Sequence, residues 1–160
     1  MIFKAISAIK NSWVNQGESV IKLPINIELW HSGNIDFKNP NLDLRKVTWF
    51  TKDKERQDYY NGFALINVKE NNVKAYKTKL KLVREINLAE FYEYPFLDIT
   101  SKYLTGHGEL NIALNKFCEQ NNLDGVICGE SLNEVVIRAC KIIDCLELLE
   151  QIDLIKENSK

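Results

Sequence analysis

Three short stretches of this chain carry residue types that can do chemistry together. The first is Trp30-His31-Ser32-Gly33, and the second is Thr48-Trp49-Phe50-Thr51 followed by Tyr59-Tyr60. The third is Asn133-Glu134-Val135-Val136-Ile137, an apolar run headed by a carboxylate. A carboxylate in such a place, once buried, must find a partner or take up a proton. Beside aromatic walls it suits a reaction that builds positive charge on a sugar. Breaking an N-glycosidic bond develops oxocarbenium character, and a nearby anion lowers that barrier. Two rings can sandwich a flat base, at about 1–3 kcal/mol per stacked base in nucleic-acid systems. A histidine can hydrogen-bond a ribose hydroxyl.

Each stretch also has a plainer reading. His31 shares one face of an alternating run with Ile25, Ile27 and Leu29, which suits a core histidine as well as a ligand contact. Trp49, Phe50, Tyr59 and Tyr60 could all be core aromatics at a strand–helix junction. Tyr59 and Tyr60 are adjacent, so on a helix at most one of them lines a cleft. Glu134 could sit on an exposed edge strand, but the unbroken apolar run behind it favours a central strand covered on both faces.

The elements that must position these residues follow from periodicity and turn signals. Ile2, Phe3, Ile6, Ile9 and Trp13 predict an amphipathic helix ending near Gly17. Residues 20–30 read as extended around Pro24, and residues 34–41 as a polar loop. A strand is predicted over Lys46–Thr51, then a short helix over Lys52–Tyr60 capped by Thr51. Phe63–Val68 reads as extended and Asn71-Asn72 as a turn. A strand over Val73–Leu82 puts Lys77, Lys79 and Lys81 on one face, with Lys74 and Arg84 nearby. That cluster is either a solvated face or a set of phosphate contacts.

Residues 87–103 read as irregular, and Gly106-His107-Gly108 as a flexible turn. A helix over Glu109–Asn121, strands over Leu123–Cys128 and Asn133–Arg138, and a helix over Cys140–Ile155 complete the chain. In that last helix Ile142, Cys145, Leu146, Leu149 and Ile152 form an apolar stripe. The stripe serves core packing or, in an interaction protein, a docked partner. Several short strands among a few helices, without a regular βαβ rhythm, predict an α+β fold.

Composition narrows the function classes. The chain has 160 residues and a net charge of −1, so one domain is expected and no global field draws it to nucleic acid or anionic membrane. Cys118, Cys128, Cys140 and Cys145 form no CxxC pair, and the two histidines lie at no metal-ligand spacing from them, so no metal site is expected. Reduced thiols, no signal-like h-region and no stretch of transmembrane length lead to the expectation of a soluble, cytoplasmic protein with no membrane partner.

Taken in order, residues 27–138 resemble the ADP-ribosyltransferase superfamily in its His-Tyr-Glu branch, the side of diphtheria toxin and the poly-ADP-ribose polymerases. The resemblance implies a single domain over 1–160, with a split β-sheet core and flanking helices. NAD would be the substrate. His31 matches the histidine that holds the adenosine ribose. Trp49 matches the first stacking position, and Tyr60, eleven residues on, the second nicotinamide wall. Ser32, Gly33 and Thr51 would complete the cofactor contacts.

Glu134 matches the catalytic glutamate, and residues 129–132 the target-recognition loop. The family places glycine directly after the histidine, whereas here Ser32 intervenes before Gly33. Leu132 stands where the arginine-modifying branch has an acid, so arginine is not the expected acceptor. The resemblance implies transfer of ADP-ribose to a protein or nucleic-acid target by an intracellular toxin or phage–bacterium conflict factor, with an antitoxin or inhibitor as possible partner. The alternative is a catalytically inactive binding protein that keeps the NAD cleft.

Overall fold

A computed structural model describes residues 2–158. In chain order it forms α1 (Ile2–Asn15), β1 (Val20–Leu23), β2 (Glu28–Gly33), β3 (Val47–Thr51), α2 (Lys54–Asn71), β4 (Tyr76–Leu82) and β5 (Ile86–Phe91). Then come α3 (Phe96–Tyr103), α4 (His107–Gln120), β6 (Gly125–Cys128), a 3-10 turn (Glu130–Leu132), β7 (Glu134–Arg138), α5 (Ala139–Cys145), β8 (Leu146–Asp153) and α6 (Leu154–Asn158). The strands lie in the order β1-β5-β6-β7-β3-β2-β4-β8. Among the described residues only β5 and β6 are parallel neighbours.

The chain has the α+β fold and the split sheet that its motifs imply. β3 pairs with β7 along its whole length, from Val47–Arg138 to Thr51–Glu134, and β2 pairs fully with β4. Between β2 and β3 a single pair remains, Trp30 with Thr51. The two half-sheets diverge there.

Strand alternation sends side chains to two apolar layers. Val47, Val126 and Val136 pack with Ala5, Ile9 and Trp13 of α1, Phe96 of α3 and Phe117 of α4. Phe50, Ile127, Val135 and Ile137 pack with Leu29, Leu80, Leu88 and Ile142 on the other face. β7 is therefore a central strand, and Glu134 is the residue at its open end.

Four expectations about the elements need correction. Residues 63–68 are not extended: they continue α2, which runs to Asn71 and closes on Asn72 in the left-handed conformation. Tyr59, Phe63 and Ile66 face solvent while Ala64 is buried, so apolar residues lie on both sides of the helix and its period is blurred. Asp53, not Thr51, caps α2 by accepting from the Glu55 amide at 2.9 Å, and the Thr51 hydroxyl braces the Asp53 amide at 3.0 Å.

Residues 140–155 are not one helix. α5 stops at Cys145, and Leu146–Asp153 pair with β4 as an edge strand. A register shift between Lys79 and Leu80 changes the phase of β8 halfway along, which makes a period of two look helical. The apolar stripe of the supposed helix is thereby divided between two elements. Residues 87–103 are not irregular either, since β5 and α3 occupy most of them.

The three lysines on that face of β4 form ion pairs, two with neighbouring strands and one with α6. Lys79 meets Glu28 at 2.7 Å, Lys77 meets Glu157 at 2.9 Å and Lys81 meets Glu147 at 3.5 Å. Such exposed pairs add little stability, but they leave those three lysines paired. No helix among the described residues is long and apolar enough to cross a membrane.

Two glycines test the packing with opposite signs. A Cβ on Gly125 would lie 1.8 Å from the Val136 carbonyl oxygen, whereas one on Gly62 in α2 would meet nothing within 4 Å. In urea unfolding, Gly125→Ala is expected to cost at least about 3 kcal/mol, because backbone must shift between β6 and β7. Gly62→Ala is expected to add about 0.5–1 kcal/mol, the usual gain for a helix interior.

Candidate active site

The split between β2 and β3 opens a cleft of about 430 Å³. Trp30, His31 and Ser32 line it from β2, and Thr48, Trp49, Phe50 and Thr51 from β3. Tyr60 enters from α2, Tyr94 from the segment before α3, His107 and Asn111 from α4, and Glu134 from β7. Six of the seven residues matched to catalytic or cofactor positions therefore border one cleft. The exception, Gly33, backs the His31 ring.

His31 closes the gap where backbone pairing fails. Its Nδ1 lies 2.8 Å from the Trp49 carbonyl oxygen, so Nδ1 carries the proton and donates, and Nε2 is an acceptor. Burial holds the imidazole below the usual histidine range, against the pull of that hydrogen bond, so the neutral ring is favoured. Nε2 itself is buried and has no hydrogen-bond partner among the described residues. A Cβ at Gly33 would come within 3.0 Å of Nε2, so a residue without a side chain lets the ring sit there.

Phe37 packs edge-on against the ring at 5.2 Å, and Phe50 lies 5.5 Å away. The Phe37 loop is held from β8. The Gln151 side-chain oxygen accepts from the Phe37 amide at 2.8 Å, and its amide nitrogen donates to Asp36 at 2.7 Å.

On the opposite face of the sheet the Tyr60 hydroxyl donates to Glu134 Oε1 at 2.6 Å. Partial burial and the neighbouring carboxylate push the Tyr60 phenol up to about 12, so it remains a donor at neutral pH. The Cys128 thiol faces the other carboxylate oxygen at 3.9 Å. Its pKa is raised by burial first and by Glu134 second, which keeps it protonated. Both oxygens of Glu134 thus have a fixed neighbour. Ser131 and Leu132, in the turn just before it, both have positive φ, 66° and 52°, and Lys52 N–H clamps the Asn133 carbonyl at 2.8 Å.

Trp49 is fixed at its polar edge, where Nε1 donates to Asn111 Oδ1 at 2.7 Å. His107 lies 5.4 Å from the Trp49 ring, Phe96 meets it edge-on at 6.3 Å, and Tyr94 is 6.4 Å away. Burial, with Glu134 and Tyr60 nearby, raises the Tyr94 phenol far above its ordinary value. The Ser32 hydroxyl is engaged with Asn61 of α2. Of the tyrosine pair, Tyr60 enters the cleft, while Tyr59 is exposed and packs on Phe63.

Tyr94, His107 and Asn111 were not selected from the sequence. His107 is not a flexible turn residue but the first residue of α4. The available signal was that His107 and Asn111 are four apart, on the helix that carries Leu110 and Leu114 into the core. Among the described residues no group of three or more His, Cys, Asp and Glu side chains could hold a metal ion.

No protein-family model and no curated protein matches the sequence. Among solved structures, the chain superposes on a chain of the M. tuberculosis MbcT–MbcA toxin–antitoxin complex with a TM-score of 0.53. The match covers 95% of this chain and 91% of that one at 8% identity. At that identity the likeness is one of fold.

The neutral His31 makes stability depend on pH. An unfolded histidine titrates near 6.5 and the folded one lower, so the unfolded chain binds more protons in the interval between. Stability is complete above about 6.5 and falls as pH drops toward the folded value. Denaturant midpoints taken from pH 7 to pH 5 are expected to decline, and His31→Gln is expected to flatten the decline. His107, also lowered by burial and by Lys46, leaves a residual slope of the same sign.

Proposed function

We propose that the protein is an ADP-ribosyltransferase of the His-Tyr-Glu kind, which cleaves NAD and transfers ADP-ribose to a macromolecular acceptor. The observation that carries this reading is the Tyr60–Glu134 hydrogen bond, made in a cleft that Trp49 and His31 also line. NAD is the substrate. Its adenosine ribose has hydroxyl donors of the kind that His31 Nε2 lacks, so the residues present fit it.

In this reading Trp49 and Tyr60 flank the nicotinamide, Ser32 and Thr51 border the rest of the cofactor, and Gly33 gives the His31 ring its room. Glu134, held by the Tyr60 hydroxyl, presents its carboxylate to the ribose that becomes cationic as nicotinamide departs. A fixed anion in a partly water-excluded cleft stabilises that charge without reorganising at the moment of reaction. Cys128 and Tyr60 both stay protonated, so they hold the carboxylate without adding charge that would repel it.

The fold likeness to a chain of a toxin–antitoxin complex supports the further reading of a toxin that acts in the cytoplasm and is restrained by an antitoxin. Ser32, whose hydroxyl engages Asn61 where the family has glycine, favours a second reading, an NAD-binding protein without turnover.

Incubation with NAD is expected to release nicotinamide, slowly with water as acceptor and faster with cell extract. Glu134→Gln is expected to lower that rate by about 10²–10³ with NAD binding retained. Tyr60→Phe is expected to lower it by about tenfold, the loss of one charge-assisted hydrogen bond. Binding without release by the wild type would select the second reading, and neither binding nor release would remove both.

A further inference from the structure

The reading above leaves His107 without a task, although it borders the same cleft as Glu134 and Tyr60. It is exposed to solvent, unlike Glu134 and Tyr60, which are half-buried. Of these three cleft groups His107 is therefore the most accessible to an acceptor arriving from solvent.

The geometry points to His107 as the group that takes the proton from the incoming acceptor, an inference that rests on the cleft being an NAD site. The groups around the ring agree with this task. Trp49 of β3 lies against it at 5.4 Å. The Lys46 ammonium sits beside the start of α4, where a Cβ on Gly108 would come within 3.7 Å of it. The amino end of a helix is itself electropositive. Partial burial of the ring against Trp49 and the nearby Lys46 hold the imidazole below its ordinary range, so at neutral pH the ring is free to accept a proton. The remaining groups at this end of the cleft are the Tyr94 phenol, the Asn111 amide and Glu134. Glu134 is committed to the Tyr60 hydroxyl and to the developing cation, which leaves a second base to be supplied.

The step balances. The acceptor's oxygen forms a bond to C1′ of the nicotinamide ribose, and its proton passes to an imidazole nitrogen of His107. The C1′–N bond breaks with its electron pair remaining on the ring nitrogen, and nicotinamide leaves as the neutral base. The imidazolium then returns its proton to solvent, which Lys46 and the helix end favour.

Acceptors with and without a proton to lose separate this task from a structural one. The protein would be given NAD with methanol or with azide, which at neutral pH is an anion with nothing to surrender. Wild type is expected to use both. His107→Gln is expected to lose about 10²-fold in kcat with methanol or water, within the range usual for a general base. With azide its rate should stay within about threefold of wild type. Added imidazole should restore methanolysis by His107→Ala. An undiminished rate with methanol would overturn the inference, and so would an equal loss with both acceptors, the pattern of a ring that only supports Trp49. Either result leaves the NAD reading standing, provided Glu134→Gln loses about 10²–10³ in rate with both acceptors. Wild type inert toward both would remove the NAD reading, and the role of His107 with it.

Discussion

The hydrogen bond from the His31 imidazole to the Trp49 carbonyl sits where the sheet stops being a sheet. Elsewhere neighbouring strands satisfy each other's backbone groups. Between β2 and β3 that pairing has shrunk to Trp30 and Thr51. A carbonyl left bare beside a cleft would forfeit the hydrogen bond that buried backbone requires. A side chain from β2 supplies it across 2.8 Å. The two half-sheets can therefore part widely enough to admit a ligand while remaining registered to each other. The same bond sets the ring's tautomer and turns its acceptor nitrogen toward Gly33. Scaffold and site share one interaction here.

The chemistry around the carboxylate depends on hydrogen-bond donors that carry no charge. Tyr60 and Cys128 are both kept protonated by burial and by the anion they face. The cleft consequently concentrates its negative charge on one residue at the end of a central strand. Trp49, Tyr60 and Tyr94 line the same cleft with rings, and Phe96 backs Trp49 from the core. The low local polarity makes a single fixed anion more effective than it would be in water.

Much of this was legible in the sequence where local pattern and tertiary role coincide. The unbroken Val135-Val136-Ile137 run announces a strand covered on both faces, and β7 is one. The β-branched and aromatic residues of β3 do the same. Tertiary pairing is what hid the rest. Nothing local marks the Lys79–Leu80 irregularity that shifts the phase of β8, so its residues imitate a helix face. In α2, Tyr59, Phe63 and Ile66 lie on the solvent side and blur the period that would have extended the helix. His107 was masked by its two glycine neighbours, which favour a turn until the helix behind them is seen. The order of the motifs, more than any one of them, drew Trp49, Tyr60 and Glu134 to one place.

Gln151 joins this picture from a distance. It lies on β8, yet it holds the Asp36–Phe37 loop against the His31 ring. During synthesis, β2, β3 and the loop emerge well before the strand that secures them. On the ribosome Gln151 cannot secure that loop until the Leu146–Asp153 residues have been made and have paired with β4. The chain thus has a built-in delay between translating its site residues and arranging them.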